Sequence, residues 1–377
     1  MSFKMKKTLL VLAAFLMVAG LKAHDAAPAE EAPMCGPFEF RNFSIFDTSG
    51  LAVLDGDTFT LSANYPLEMP ENTTMPWART DFKKKPERFM GQVLDYIWEG
   101  NEEVDFKVQR NQVRSWYHAP YLALGYAGRE ASHGLVMDQT SFGEDFAAND
   151  KKRSRNFSIT FYNDIAAYTL GQVYCDPANP DASKATFAPG SVFFTLVFTT
   201  ADSSRFPFLT SPYTWEAYVE NSTFVPIEPK QFLDVSLFEV DFQVRSERSP
   251  TGWVAGSFIF DGVQGDDTKS RLVPVSMAWG NDPGDTPQKV RDENDPAKID
   301  ESWINTKVYN PGAPTPSLLQ HQGYGGRAQR PIGPRDGAIL SQIMTAGMPI
   351  VPEIAPRDIP LDSVMYWFRN LQPGESF

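Results

Sequence analysis

Apolar and polar residues alternate most cleanly from Val235 to Val244, where Phe238, Val240, Phe242 and Val244 fall on one face of an extended chain. The same period of two places Phe157, Ile159 and Phe161 together within Asn156 to Tyr162, and it continues through Thr251 to Phe260 and Arg271 to Trp279. Ser191 to Thr199 is apolar on both faces, as in a strand buried between layers. Nearer the N-terminus, Phe38 to Phe46 alternates, and the turn Asp55-Gly56-Asp57 leads into a further strand at Thr58 to Ser62. One stretch has helical spacing instead. Pro86 suits a first turn, and Phe89, Met90, Val93, Leu94 and Ile97 recur every three or four residues until Gly100 ends the run.

These elements predict a mainly β chain: a β-sandwich or jelly-roll-like core over residues 38–280, with one amphipathic helix lying against the sheet. From Asn281 the composition turns to Asp, Pro, Lys and Glu, so residues 281–302 read as an acidic linker. Residues 303–377 are rich in Pro and Gly and read as an irregular appendage, with short helices at Gly337 to Thr345 and Leu361 to Asn370.

The N-terminus changes the picture. Lys4, Lys6 and Lys7 precede the apolar run Thr8 to Leu21, and Ala23 offers a small residue for cleavage, so residues 1–23 read as a secretory signal peptide. The run falls short of the roughly 20 residues that a membrane-spanning helix needs. The mature chain is expected to be exported, periplasmic or secreted, without a membrane span. Residues 24–37 read as a flexible leader. It opens on His24, whose amine and imidazole can chelate copper, but the Pro/Ala/Glu tether behind it lacks the rigidity of a copper brace. In an oxidising compartment the two cysteines, Cys35 and Cys175, are expected to form one disulfide.

The formal net charge is −13, and removing a leader with four lysines and no acidic residue takes it to −17. That balance argues against nucleic acid and anionic lipid as partners, both of which call for Lys and Arg. It leaves a small molecule, a glycan or another periplasmic protein.

Candidate chemistry concentrates between Trp98 and Leu135, which holds Trp98, Trp116, Tyr117, Tyr121, two of the four histidines and the turn Gly128-Arg129-Glu130. Trp116, His118, Arg129 and Glu130 are the candidate ligand-binding residues, lining a polar-aromatic cleft. The structural alternative for Arg129 and Glu130 is an ion pair that orders the turn. His118 and His133, with Glu130 between them and His321 as a third imidazole, form a candidate site for zinc or copper, although their spacing matches no ligand motif. Asp261 to Asp267 and Asn281 to Asp300 offer oxygen ligands for calcium, without the loop pattern of an EF-hand.

Two resemblances add to this reading. The segments WYHAPY (Trp116 to Tyr121), GREASHGL (Gly128 to Leu135), TGWVAGSFIFDG (Thr251 to Gly262), LVPVSMAWGNDP (Leu272 to Pro283), QHQGYGGR (Gln320 to Arg327) and Phe368-Arg369-Asn370 are similar to those of a poorly characterised family of exported bacterial proteins. Some of its members carry a CxxCH haem-attachment motif after a Gly-Pro-x-Asp segment near the C-terminus. Here Gly333-Pro334-Arg335-Asp336 is followed by Gly337 to Gly347, which contains neither cysteine nor histidine, so covalent haem attachment is chemically impossible there. The resemblance therefore implies a haem-less binding or accessory protein, or a redox partner holding metal or haem non-covalently.

The second resemblance is that of Glu239-Val240-Asp241-Phe242-Gln243 to the acidic strand of laminarinase-type jelly-roll glycoside hydrolases. It implies Glu239 as nucleophile and Asp241 as assisting acid, but Gln243 cannot donate the proton that a general acid must supply.

Overall fold

The structure, a computed structural model, describes Cys35 and residues 58–71, 74–120, 129–142, 152–176, 181–206, 208–220, 230–262, 265–280 and 301–305. The expected signal peptide, the strand expected at Phe38 to Phe46, most of the acidic linker, His321 and the appendage from residue 306 on lie outside the described residues; its first residues instead belong to a strand of the sheet, Ser302–Ile304.

The chain is mainly β. Among the described residues, nine strands, β1 (Trp116–His118), β2 (Val136–Phe142), β3 (Arg153–Asn163), β4 (Val192–Thr199), β5 (Thr214–Val219), β6 (Gln231–Arg245), β7 (Trp253–Phe260), β8 (Leu272–Ala278) and β9 (Ser302–Ile304), join in one sheet. Every pairing is antiparallel, and the path runs β1-β3-β4-β6-β7-β8-β9. The two longest strands each serve two neighbours end to end. β3 pairs with β2 through Arg153 to Ser158 and with β1 through Phe161 to Asn163. β6 pairs with β5 through Gln231 to Ser236 and with β7 through Glu239 to Arg245.

Residue alternation assigns the two faces. Phe157, Ile159 and Phe161 of β3, Phe194, Leu196 and Phe198 of β4, and Val240, Phe242 and Val244 of β6 belong to the larger apolar cluster. The expected helix α1 (Pro86–Trp98) covers this face, burying Phe89, Met90, Val93, Leu94 and Ile97 within the same cluster. The opposite face carries Tyr162, Phe193 and Trp253, which pack on a second helix, α2 (Asp164–Val173), in a smaller cluster. Together the layers make a sandwich-like core.

Helix α2 begins where β3 ends because Asn163 caps it: its side-chain oxygen accepts from the Ala166 amide at 3.0 Å. The same oxygen accepts from Val192 N–H at 3.0 Å, tying the start of the helix to the start of β4. Just past the helix, Cys175 is joined to Cys35 by the expected disulfide. No helix among the described residues is long and apolar enough to cross a membrane.

One expected strand is absent. Thr58 to Ser62 is not part of the sheet, and its hydrogen bonding explains why: Phe59 N–H donates to Ala131 O, while Ser62 N–H goes to an imidazole instead of a neighbouring strand. That substitution of a side chain for a backbone partner builds the site.

Candidate functional site

His118 is the last residue of β1, set opposite Phe161 of β3. Its own N–H donates to Ser62 O at 2.7 Å, and Ser62 N–H donates back to His118 Nδ1 at 2.9 Å. A backbone N–H is always a donor, so Nδ1 must present its lone pair and the ring hydrogen must sit on Nε2. The residue is only 2% exposed, with its ring between Phe59 at 5.1 Å and Phe161 at 5.2 Å. Nε2 finds no hydrogen-bond partner among the described residues. Burial, reinforced by the nearby Arg129 guanidinium, holds the imidazole pKa well below its ordinary value, so the ring is neutral.

His133 follows a loop folded around one carboxylate. Glu130, 2% exposed, accepts from Ser132 N–H at 2.6 Å, Ser132 Oγ at 2.5 Å, His133 N–H at 2.6 Å and Leu135 N–H at 3.1 Å. Gly134 closes the turn at φ +75°, where an added Cβ would collide with the Phe59 ring, so only glycine fits. His133 Nδ1 lies 3.1 Å from Ser132 Oγ. Because the single hydroxyl hydrogen of Ser132 is given to Glu130, the hydrogen in the Ser132–His133 bond must come from Nδ1. His133 therefore presents a bare lone pair at Nε2. Burial lowers its pKa, against the opposing pull of Glu130 and Asp105.

The His133 ring stacks on Trp215 of β5 at 4.5 Å and 14°, and Trp215 stacks in turn on Phe198 at 4.2 Å. Trp215 is fixed in its plane by Asp105, whose Oδ1 accepts from Trp215 Nε1 at 2.8 Å and from the Tyr213 hydroxyl. Asp105 and Phe106 both adopt positive φ, 55° and 52°. Aspartate tolerates this region, but a bulky phenylalanine is held there by packing on Trp98, Phe161, Phe194 and Trp215. The turn aims the Asp105 carboxylate at the tryptophan.

Between these parts lies a cavity of about 190 Å³. His118, His133, Ser132 and Trp215 supply one part of its wall, Thr58, Phe59 and Thr60 another, and Asp105, Phe106, Lys107, Gln109 and Arg110 the remainder. Its wall includes two neutral imidazoles of opposite tautomer, and the Nε2 of His118 is itself buried.

Of the expected ligand-binding residues, the cavity takes only His118. Trp116 is 1% exposed and packs edge-on against Phe194 at 4.9 Å, so it is a core residue. The Arg129 guanidinium donates to Ala119 O at 3.0 Å and sits over Phe59 at 5.0 Å, supporting the wall from behind. Glu130 orders the loop, as its structural alternative expected, but through amides and a hydroxyl instead of an Arg129 ion pair. The metal set is altered as well: with its hydrogen on Nε2, His118 has no lone pair there for zinc or copper. His321 lies outside the described residues, which contain no group of three or more His, Cys, Asp or Glu side chains placed to hold a metal ion.

Glu239 and Asp241 stand side by side on the other face of β6, beside Ser257 of β7, whose hydroxyl donates to Asp241. Both residues keep some exposed surface, yet their carboxyl groups are desolvated. Burial pushes Glu239 well above the usual carboxylate range, with Asp241 and Asp138 adding to the shift. Asp241 is raised too, mainly by burial. Both shifts favour the protonated form, and Gln243, the next residue on that face, brings no acid.

Sequence reasoning did not find Phe59, Asp105, Phe106 or Trp215. Their signal was weak, because each reads as an ordinary core or turn residue until β5 and the loop after α1 meet. The chain matches no protein-family model, no curated protein and no solved structure.

Proposed function

We propose that this is an exported, soluble binding or accessory protein that holds a small molecule in the cavity between His118, His133 and Trp215. The observation that carries this is the cavity itself, about 190 Å³ in volume, whose wall brings His118, His133 and Trp215 together. Aromatic walls with a few convergent polar groups are the usual lining of a small-molecule site. Export is supported by the leader-like residues 1–23 and by the Cys35–Cys175 disulfide. The similarity to exported proteins with a haem motif fits the same compartment, and the lack of that motif fits binding without covalent haem.

The test is a screen read at the imidazoles. The protein with ¹⁵N-labelled histidine is titrated with a library of polar compounds the size of one or two rings. Binding compounds are expected to shift both His118 and His133 and to lose that effect in the cavity-filling variant Thr58→Trp. A library in which no compound perturbs either imidazole overturns the proposal.

A further inference from the structure

The charges in the cavity wall narrow what it can hold, and this step rests on the binding reading above. Three charged side chains border the space: Asp105, Lys107 and Arg110. Lys107 and Arg110 have interaction partners of their own, so neither charge waits on a ligand. Asp105 differs. Both of its hydrogen bonds, from the Trp215 indole and the Tyr213 hydroxyl, reach the single oxygen Oδ1 and come from neutral donors. Among the described residues no cation pairs with this half-buried carboxylate, and Oδ2 accepts no hydrogen bond.

His133, also half-buried, supplies a second acceptor. Its Nδ1–H is spent on Ser132, whose own hydrogen goes to Glu130, so Nε2 carries a lone pair that no described residue occupies. The two acceptors are seated on one indole. The carboxylate lies 2.8 Å from Trp215 Nε1, and the imidazole stacks on the ring at 4.5 Å. Burial lowers the His133 pKa, but among the charges that act on it Glu130, Asp105 and Glu216 raise it and Lys107 opposes them. Positive charge is therefore favoured beside this ring.

Two acceptors and an unpaired negative charge call for a group that brings several N–H hydrogens on a positive charge. An ammonium does this. An alcohol brings one hydrogen and no charge, a quaternary ammonium brings charge and no hydrogen, and a carboxylate is repelled. Size sets the remainder of the ligand: a dry cavity of roughly 150 Å³ accommodates benzene, so about 190 Å³ has room for one ring on a short arm. Phe59 and Phe106 give that ring apolar walls. Both faces of Trp215 are already covered, by His133 and Phe198, which leaves its edge.

We infer that the ligand is a primary amine on a single apolar ring, bound as its ammonium, which donates to His133 Nε2 and pairs with Asp105 Oδ2. No covalent or redox step is involved.

The experiment is calorimetric titration of the disulfide-bonded full chain at pH 7.5 with benzylamine, benzyltrimethylammonium, benzyl alcohol and benzoate. Benzylamine is expected to bind roughly tenfold or more tightly than each of the others. Added salt is expected to weaken the amine and leave the alcohol unchanged. In Asp105→Asn the preference for the amine over the alcohol is expected to fall severalfold while alcohol binding persists, and an unchanged preference overturns the role of Asp105. The comparison of four probes on the unaltered protein stands even if that variant does not fold. Equal binding of amine and alcohol, or tighter binding of benzoate or of the quaternary ammonium, overturns the ligand class and leaves the binding cavity intact. Silence of all four also overturns the class, and the imidazole screen then decides the cavity separately.

Discussion

Two groups of buried titratable side chains, one on each side of the sheet, solve the same problem in opposite ways. On one face Glu239 and Asp241 turn to each other and to Ser257, so the proton that burial forces on them is shared within the group. On the other, His118 and His133 each spend one ring nitrogen on the protein, and both residues belong to the wall of a cavity. Polar groups that close on themselves specify a packing; polar groups left half-satisfied beside space specify a partner. The difference separates a structural cluster from the proposed binding site, although sequence patterning marks both equally.

The largest test of that contrast removes the carboxylate beneath the imidazole loop. Glu130→Ala strips the acceptor from three amides and a hydroxyl, and a loss of about 3–4 kcal/mol in unfolding free energy is expected by urea denaturation. Ligand binding should vanish with it.

On the carboxylate face, Glu239→Gln keeps the shape of a protonated glutamate. Glu239 is raised above its unfolded value, so its contribution is complete below about pH 4.5 and is lost as pH rises towards the folded value. The variant is expected to remove that loss and be the more stable protein at pH 8, with little difference at pH 4.5. Denaturation at the two pH values measures it, and a variant less stable at pH 8 would show that the pair is not protonated.

The imidazoles have the opposite sign. With folded pKa values below the unfolded 6.5, the unfolded chain takes up protons first as pH falls, so they destabilise the fold progressively below about pH 6.5. His118→Gln, whose side-chain oxygen can still accept from Ser62 N–H, is expected to flatten the part of this acid-side decline that His118 contributes. An unchanged slope between pH 6.5 and 5 would mean that His118 is not buried in neutral form.

The smallest effect is expected at Asp105→Asn. Asparagine tolerates the left-handed backbone and keeps an acceptor, so stability should change by only about 1 kcal/mol. Removing the charge should nevertheless lower the His133 pKa further, because Asp105 raises it. An NMR titration of the His133 ring reads that shift, and an unmoved pKa would separate Asp105 from the site.

Much of the scaffold was legible. Helical spacing marked α1, alternation marked β3, β6, β7 and β8 and an unbroken apolar run marked β4, each to within a few residues, and an even cysteine count marked the disulfide. The short β1, β5 and β9 were not, since three to six residues carry too little periodicity. Helix α2 was hidden because it is apolar nearly all round, burying Ile165, Ala166, Ala167, Leu170 and Val173. For the site, polar-aromatic density drew attention to His118 and His133, and the fold does bring them to one cavity. That density overvalued Trp116, whose size suits the core, and it missed Trp215, which arrives from a strand about 80 residues further along the chain. Which nitrogen of each ring carries the hydrogen depends on Ser62, Ser132 and Glu130, and no pattern in a sequence encodes that.

The most direct measurement of the central claim is the tautomeric state of the two rings, read from long-range ¹H–¹⁵N correlations of the ligand-free protein at pH 7.5. The expected spectrum shows His118 with its hydrogen on Nε2 and His133 with its hydrogen on Nδ1, both neutral. The same tautomer at both positions, or a charged imidazolium at either, would contradict the account of a cavity wall that carries two neutral imidazoles of opposite tautomer.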